Sequence, residues 1–196
     1  MTEQVWWYVA RSSGIVALAL LLGAVTFGLL MSTRLGARIV AVPWLLGVHR
    51  ALGGLAVAFT GVHLAGLLLD DYVQFGVVDL LVPGASPWKP LAVAWGVVAL
   101  YLLVAVQATS LAMRRLPSSL WRAVHTSSFV LFWVAALHGL TAGTDATAAW
   151  FRWPLVGAMS LIAGLTLARL AKVLRQPARP KRRPAGQATP RPATLS

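Results

Sequence analysis

Four histidines carry the only recognisable chemistry in this chain: His49, His63, His125 and His138. None of the 196 residues is cysteine, so thiolate zinc sites, iron–sulfur clusters and disulfides are excluded. A metal centre must therefore rest on histidine, methionine or carboxylate. The histidines fall in two apolar segments, two in each, spaced i, i+14 in the first and i, i+13 in the second. At about 1.5 Å per residue, these spacings separate the members of each segment by about 21 and 19.5 Å along a helix. Two helices running in the same direction would set His49 opposite His125 at one level and His63 opposite His138 at another. A haem iron takes two axial nitrogens from opposite faces, so two stacked His–His pairs are the geometry of two bis-histidine haems. The plainer reading of one intramembrane histidine is an interhelical hydrogen bond. Four in two matched pairs, with none elsewhere, favour ligation.

One pair resists the simple picture. At about 100° per residue, an i, i+14 interval returns to within roughly 40° of the starting face, whereas i, i+13 leaves about 140°. His125 and His138 do not share a face on an ideal helix. Their segment must be locally distorted or tilted, or the two haems must be offset. No nucleophile–base–acid set exists. Asp70 and Asp71, adjacent in sequence, read as part of a solvated loop that could attract a cationic partner or ferric ion.

The elements that position these histidines follow from composition. The chain is 58% hydrophobic and 11% charged, against roughly 25% charged in soluble domains. That excludes an ordinary soluble domain, and the hydrophobicity excludes a disordered chain. Five long apolar segments stand out: Ser12–Met31, Trp44–Leu69, Leu91–Met113, Ser119–Leu140 and Ala149–Leu170. Each can cross a bilayer, and helices are the only open-chain structure that can. The expected fold is all-α, an integral membrane bundle of five transmembrane helices. The N-terminus, with Glu3, Trp6, Trp7 and Tyr8, is not a secretory n-region, so the first apolar run reads as a retained span.

The net charge of +12 is a topology record more than a nucleic-acid footprint, so no nucleic-acid partner is expected. Arg34, Arg38, Arg50, Arg114, Arg115, Arg122 and the basic residues from Arg169 onward, fourteen of the seventeen, lie on one side. Arg11, Lys89 and Arg152 lie on the other with all five acids, leaving that side at −2. The expected orientation is N-terminus out and C-terminus in. Both histidine-bearing spans then run outward, with His49 and His125 inner, His63 and His138 outer. The loop Asp70–Lys89 is too apolar to float freely and is expected on the membrane surface or capping the bundle. The bundle is expected over 1–175. Residues 176–196, rich in Pro and Arg, read as a disordered cytoplasmic tail that could rest on anionic lipid.

Several side chains could support a haem. Arg50 and Arg122 adjoin the inner pair and Arg11 lies near the outer pair, where each could meet a propionate; the alternative for the first two is topology marking. Phe132, seven residues after His125, falls on nearly the same face about 10.5 Å further along, as core packing or as a stepping point between haems. Gly53, Gly66 and Gly139 lie close to candidate ligands, where missing side chains make room for a porphyrin or for close helix packing.

His49-Arg50 opening span two, His63 near its end, Trp121-Arg122 before His125, and the segment from His138 through Gly139 to Asp145 carry a resemblance. Over roughly Trp6 to Lys172 the sequence resembles the ferric reductase-like transmembrane domain. That group includes the membrane cores of ferric reductases and NADPH oxidases and the haem-binding subunit of the bacterial periplasmic methionine sulfoxide reductase system. The resemblance implies two b-type haems, the inner held by His49 and His125 and the outer by His63 and His138, passing electrons across a bacterial cytoplasmic (inner) membrane. It departs from NADPH oxidase-type cores in having no further helix before the set. No Gly-x-Gly-x-x-Gly turn follows span five, so no flavin or nicotinamide domain is expected on the chain. The implied donor is a separate flavin reductase or a quinol (menaquinol or ubiquinol). The acceptor would be ferric iron, oxygen, or a periplasmic or extracellular protein. The rival readings are a quinone-linked dihaem cytochrome b and a haem-free transporter or assembly subunit.

Overall fold

The computed structural model describes residues 4–33 and 41–174. Among these, helices account for nearly all regular structure and no strand occurs. The order is α1 (Val5–Thr33), α2 (Val42–Leu69), α3 (Val77–Leu81), α4 (Pro90–Leu111), α5 (Ser118–Thr126), α6 (Ser128–Ala142) and α7 (Ala149–Leu174). Among the described residues five spans are long and apolar enough to cross a membrane, with α5 and α6 forming one of them. The chain is a multi-pass membrane protein. Arg34, Arg38 and the expected tail at 176–196 lie outside the described residues.

Helix boundaries follow local chemistry. Pro43 stands in the first turn of α2 and Pro90 opens α4, positions where a missing N–H costs nothing. Lys89 before Pro90 takes a left-handed backbone, φ 42°. Pro117 ends the α4–α5 turn and sets the start of α5. The spanning helices are apolar on every side, and large side chains such as Leu55, Leu91, Val104, Leu111 and Leu167 stand exposed around the bundle. Such a surface is disfavoured in water and suits lipid.

The α1–α2 and α4–α6 pairs make the closest packing, and α1 also meets α6 and α7. A Cβ on Gly66 would come within 2.8 Å of the Ala10 main-chain nitrogen, so this glycine permits the α1–α2 contact rather than making room for a cofactor. Leu21, Val25, Leu29, Leu131, Phe132 and Ile162 form the central core. The 70–89 loop caps one end of the bundle. There α3 turns Leu80 inward beside Phe75, and both pack on Val93 and Val97 of α4 with Leu64, Leu67 and Trp88.

The span holding His125 and His138 is broken. At Ser127, ψ is −9°, and its N–H bonds the Val124 carbonyl at 3.0 Å, a three-residue turn. Such a turn winds at about 120° per residue in place of about 100°. The extra rotation acts in the sense that closes the phase gap left by the i, i+13 spacing. Of the ways to accommodate this pair, the fold uses local distortion.

Candidate functional site

The break brings the four histidines into two facing pairs. The ring centroids of His49 and His125 are 5.9 Å apart with planes at 70°. Those of His63 and His138 are 6.4 Å apart with planes at 75°. Since His49 pairs with His125 and His63 with His138, α2 and the broken α5–α6 span run in the same direction. All four imidazoles are partly buried.

Each Nδ1 is occupied by an oxygen on a neighbouring helix. His63 Nδ1 lies 2.6 Å from the Ala10 carbonyl and His49 Nδ1 2.8 Å from the Ala24 carbonyl, both on α1. His138 Nδ1 lies 2.7 Å from the Ala92 carbonyl, and His125 Nδ1 3.3 Å from Ser110 Oγ, both on α4. A carbonyl only accepts, so at three sites Nδ1 carries the proton and Nε2 carries the lone pair. Ligation through Nε2 uses this tautomer, and a metal-ligating imidazole almost always makes such an outer hydrogen bond. Trp121 stacks on His125 at 5.1 Å between centroids and 24° between planes, one turn before it on α5. Its buried Nε1 has no hydrogen-bond partner among the described residues.

These residues fit a haem. Two imidazoles with centroids about 6 Å apart can each place a nitrogen about 2 Å from one central atom. No group of three or more histidine, aspartate or glutamate side chains gathers among the described residues, and a haem would bring four ring nitrogens of its own to a metal held by two imidazoles. Beside the His63–His138 pair, the outer one on the orientation expected from charge, lies a cavity of about 290 Å³, walled mainly by apolar side chains of α1, α2, α4, α6 and the capping loop. Gly139 lies on its wall.

The supporting residues divide. Arg11 reaches the outer cavity, but its guanidinium makes a two-pronged ion pair with the buried Asp145 and lies 4.9 Å from the Trp7 ring centre. Arg50 and Arg122 are exposed at the end of the bundle where the inner pair lies. Phe132 is fully buried in the central core, while Leu131 and Ala135 line the outer cavity. Carrying the His125 face forward seven residues assumed an unbroken helix, and the turn at Ser127 voids that assumption. Asp70 is not a solvated loop residue. It is 4% exposed, caps the C-terminus of α2, lines the outer cavity and leaves Oδ1 without a partner among the described residues. Asp71 is exposed.

Three glycines that spacing from the histidines did not single out do the seating. A Cβ on Gly14 would stand 2.9 Å from His63 Nδ1, one on Gly96 2.7 Å from His138 Cε1, and one on Gly28 3.5 Å from His49 Cε1. A signal for two of them was present, since Gly14 and Gly28 stand at i and i+14, as do His49 and His63. On antiparallel neighbours the two intervals coincide.

No curated protein and no solved structure matches the chain. A family model does, that of the ferric reductase like transmembrane component, over residues 13–136, more than half of the chain. The match takes in His49, His63, His125 and all three seating glycines, and it stops two residues before His138, which the fold sets opposite His63. The chain belongs to the ferric reductase-like transmembrane family.

Proposed function

We propose that this protein passes electrons across a membrane through two b-type haems, one between His49 and His125 and the other between His63 and His138. Its family works in transmembrane electron transfer and generally binds haem. The observation that carries the two-haem reading is the pair of facing imidazoles at each level, 5.9 and 6.4 Å between centroids, with each Nδ1 held by an oxygen. A bound haem would supply a one-electron couple at each level. The chain's own residues do the rest. The α1 and α4 oxygens orient the imidazoles and fix which nitrogen faces inward. Trp121 holds the His125 ring plane. The capping loop, through Phe75, Leu80 and Trp88, screens the outer cavity from water. Exposed Arg50 and Arg122 would meet propionates of the inner haem.

The charge distribution supports an N-terminus outside and a C-terminus inside, and the resemblance to the bacterial haem-binding subunit supports a bacterial cytoplasmic membrane. Domains of this family typically work with separate redox partners. On this reading a cytoplasmic flavin reductase or a membrane quinol reduces the His49–His125 level, and ferric iron or an external protein takes electrons from the His63–His138 level. The test is a reduced-minus-oxidised spectrum of the purified protein with a haem-to-chain ratio. Two low-spin b-type haems per chain are expected. A protein without visible absorbance would refute the reading in favour of a haem-free role.

A further inference from the structure

Three of the four imidazoles are seated in the same way. The carbonyls of Ala10, Ala24 and Ala92 accept from His63, His49 and His138, and in each case the residue four positions on is glycine: Gly14, Gly28 and Gly96. Helical side chains lean toward the N-terminus, so a side chain at that position would crowd the bond to the carbonyl one turn back, most at Gly96 and Gly14, where a Cβ would stand 2.7 and 2.9 Å from the ring, and least at Gly28, where it would stand at an ordinary 3.5 Å. Glycine leaves the carbonyl open to a ring N–H.

The fourth seat differs. At i+14 from Gly96, where the pattern calls for glycine, stands Ser110. Its Oγ donates to the Val106 carbonyl at 2.6 Å, the carbonyl four residues back, and stands 3.3 Å from His125 Nδ1. A serine hydroxyl has one proton to give. With that proton on Val106, Oγ is left to accept from the His125 ring. The hydroxyl therefore stands between imidazole and main chain, and the contact to His125 is about half an ångström longer than the other three.

We propose that Ser110 is a positioning residue that makes the His49–His125 site electronically distinct from the His63–His138 site. The proposal rests on the two-haem reading. A short bond from Nδ1–H to a carbonyl raises the basicity of the ligand, which stabilises the oxidised metal. The longer bond to the neutral Ser110 hydroxyl does so less, because hydrogen bonds weaken with length. Ser110 thus holds the inner couple at a higher potential than four equivalent carbonyl seats would.

The experiment is a redox titration with low-temperature electron paramagnetic resonance on the purified, haem-loaded full chain, as wild type, Ser110→Gly, Ser110→Ala and Ser110→Thr. Ser110→Gly opens the Val106 carbonyl, and the inner midpoint is expected to fall while the outer stays in place. Ser110→Ala removes the hydroxyl yet leaves a methyl group over the carbonyl; the inner midpoint is expected to rise and the inner resonance to broaden. Ser110→Thr keeps the hydroxyl and is expected to keep the wild-type inner midpoint. A loaded two-haem protein whose inner midpoint is the same in all four chains, or whose outer midpoint moves equally, would overturn this inference alone. A wild-type chain without haem would overturn the two-haem reading before Ser110 is tested.

Discussion

The sharpest test of how the histidines are seated is to return one missing methyl group. In Gly96→Ala the new Cβ would lie 2.7 Å from His138 Cε1 and 2.8 Å from Nδ1. The ring must retreat by about 0.7 Å to reach the 3.4 Å of ordinary contact. It cannot retreat and keep its 2.7 Å bond to Ala92, since that bond is made on the same face of α4. Overpacking of this kind costs about 1–3 kcal/mol, and the weakened hydrogen bond about 1 kcal/mol more. At about 1.4 kcal/mol per factor of ten, the His63–His138 site should lose roughly 30- to 700-fold in cofactor affinity. Gly28→Ala is the matched control, because its Cβ would meet His49 at 3.5 Å, an ordinary contact. The assay is haem per chain after purification with a dilution series, read with the low-spin resonances of each site. Gly96→Ala is expected to fall toward one haem per chain, with the inner resonance intact, and Gly28→Ala to keep two. Full retention of the outer haem in Gly96→Ala, or loss of the inner haem in Gly28→Ala, would refute the reasoning that the close approach of main chain to imidazole is what holds the ring.

Other expectations follow from the same geometry. His63→Ala should abolish the outer haem and spare the inner one, and His49→Ala should do the reverse; loss of both haems from either would show that the levels are not independent. Phe132→Ala should cost about 3–5 kcal/mol of stability, as for other buried aromatics, seen as a lower melting temperature, while Phe132→Leu leaves the rate of electron passage between haems unchanged. Asp70 is a buried acidic side chain at the negative end of α2, with one oxygen unpartnered among the described residues. Both features are destabilising for a carboxylate, so Asp70→Asn should raise the melting temperature; a fall would point to a partner for the carboxylate. Arg11→Gln strands the buried Asp145 and should lower the melting temperature, with Arg11→Gln/Asp145→Asn recovering most of the loss.

The spans and the histidine levels were legible in the sequence because each is a one-dimensional property. Bilayer thickness sets the length of an apolar run, so five runs became five spans. The i, i+14 and i, i+13 intervals put two histidines at two heights on each of two segments, and the fold pairs them at those heights. The absence of cysteine left histidine as the main candidate for a metal. What the sequence could not decide was rotation and contact between helices. The i, i+13 interval fails on an ideal helix, and the tight turn at Ser127 adds rotation in the sense that narrows the gap. Spacing leaves Gly66 open between cofactor room and close helix packing, and the fold makes it a backbone contact, while Gly14, Gly28 and Gly96 are the glycines that face the imidazoles, because a glycine's role depends on what stands opposite it. Asp70 reads as solvated in the sequence, whereas at the C-cap of α2 it is buried. Heights along a helix are fixed by residue number; which side chain meets which is fixed only when the helices pack.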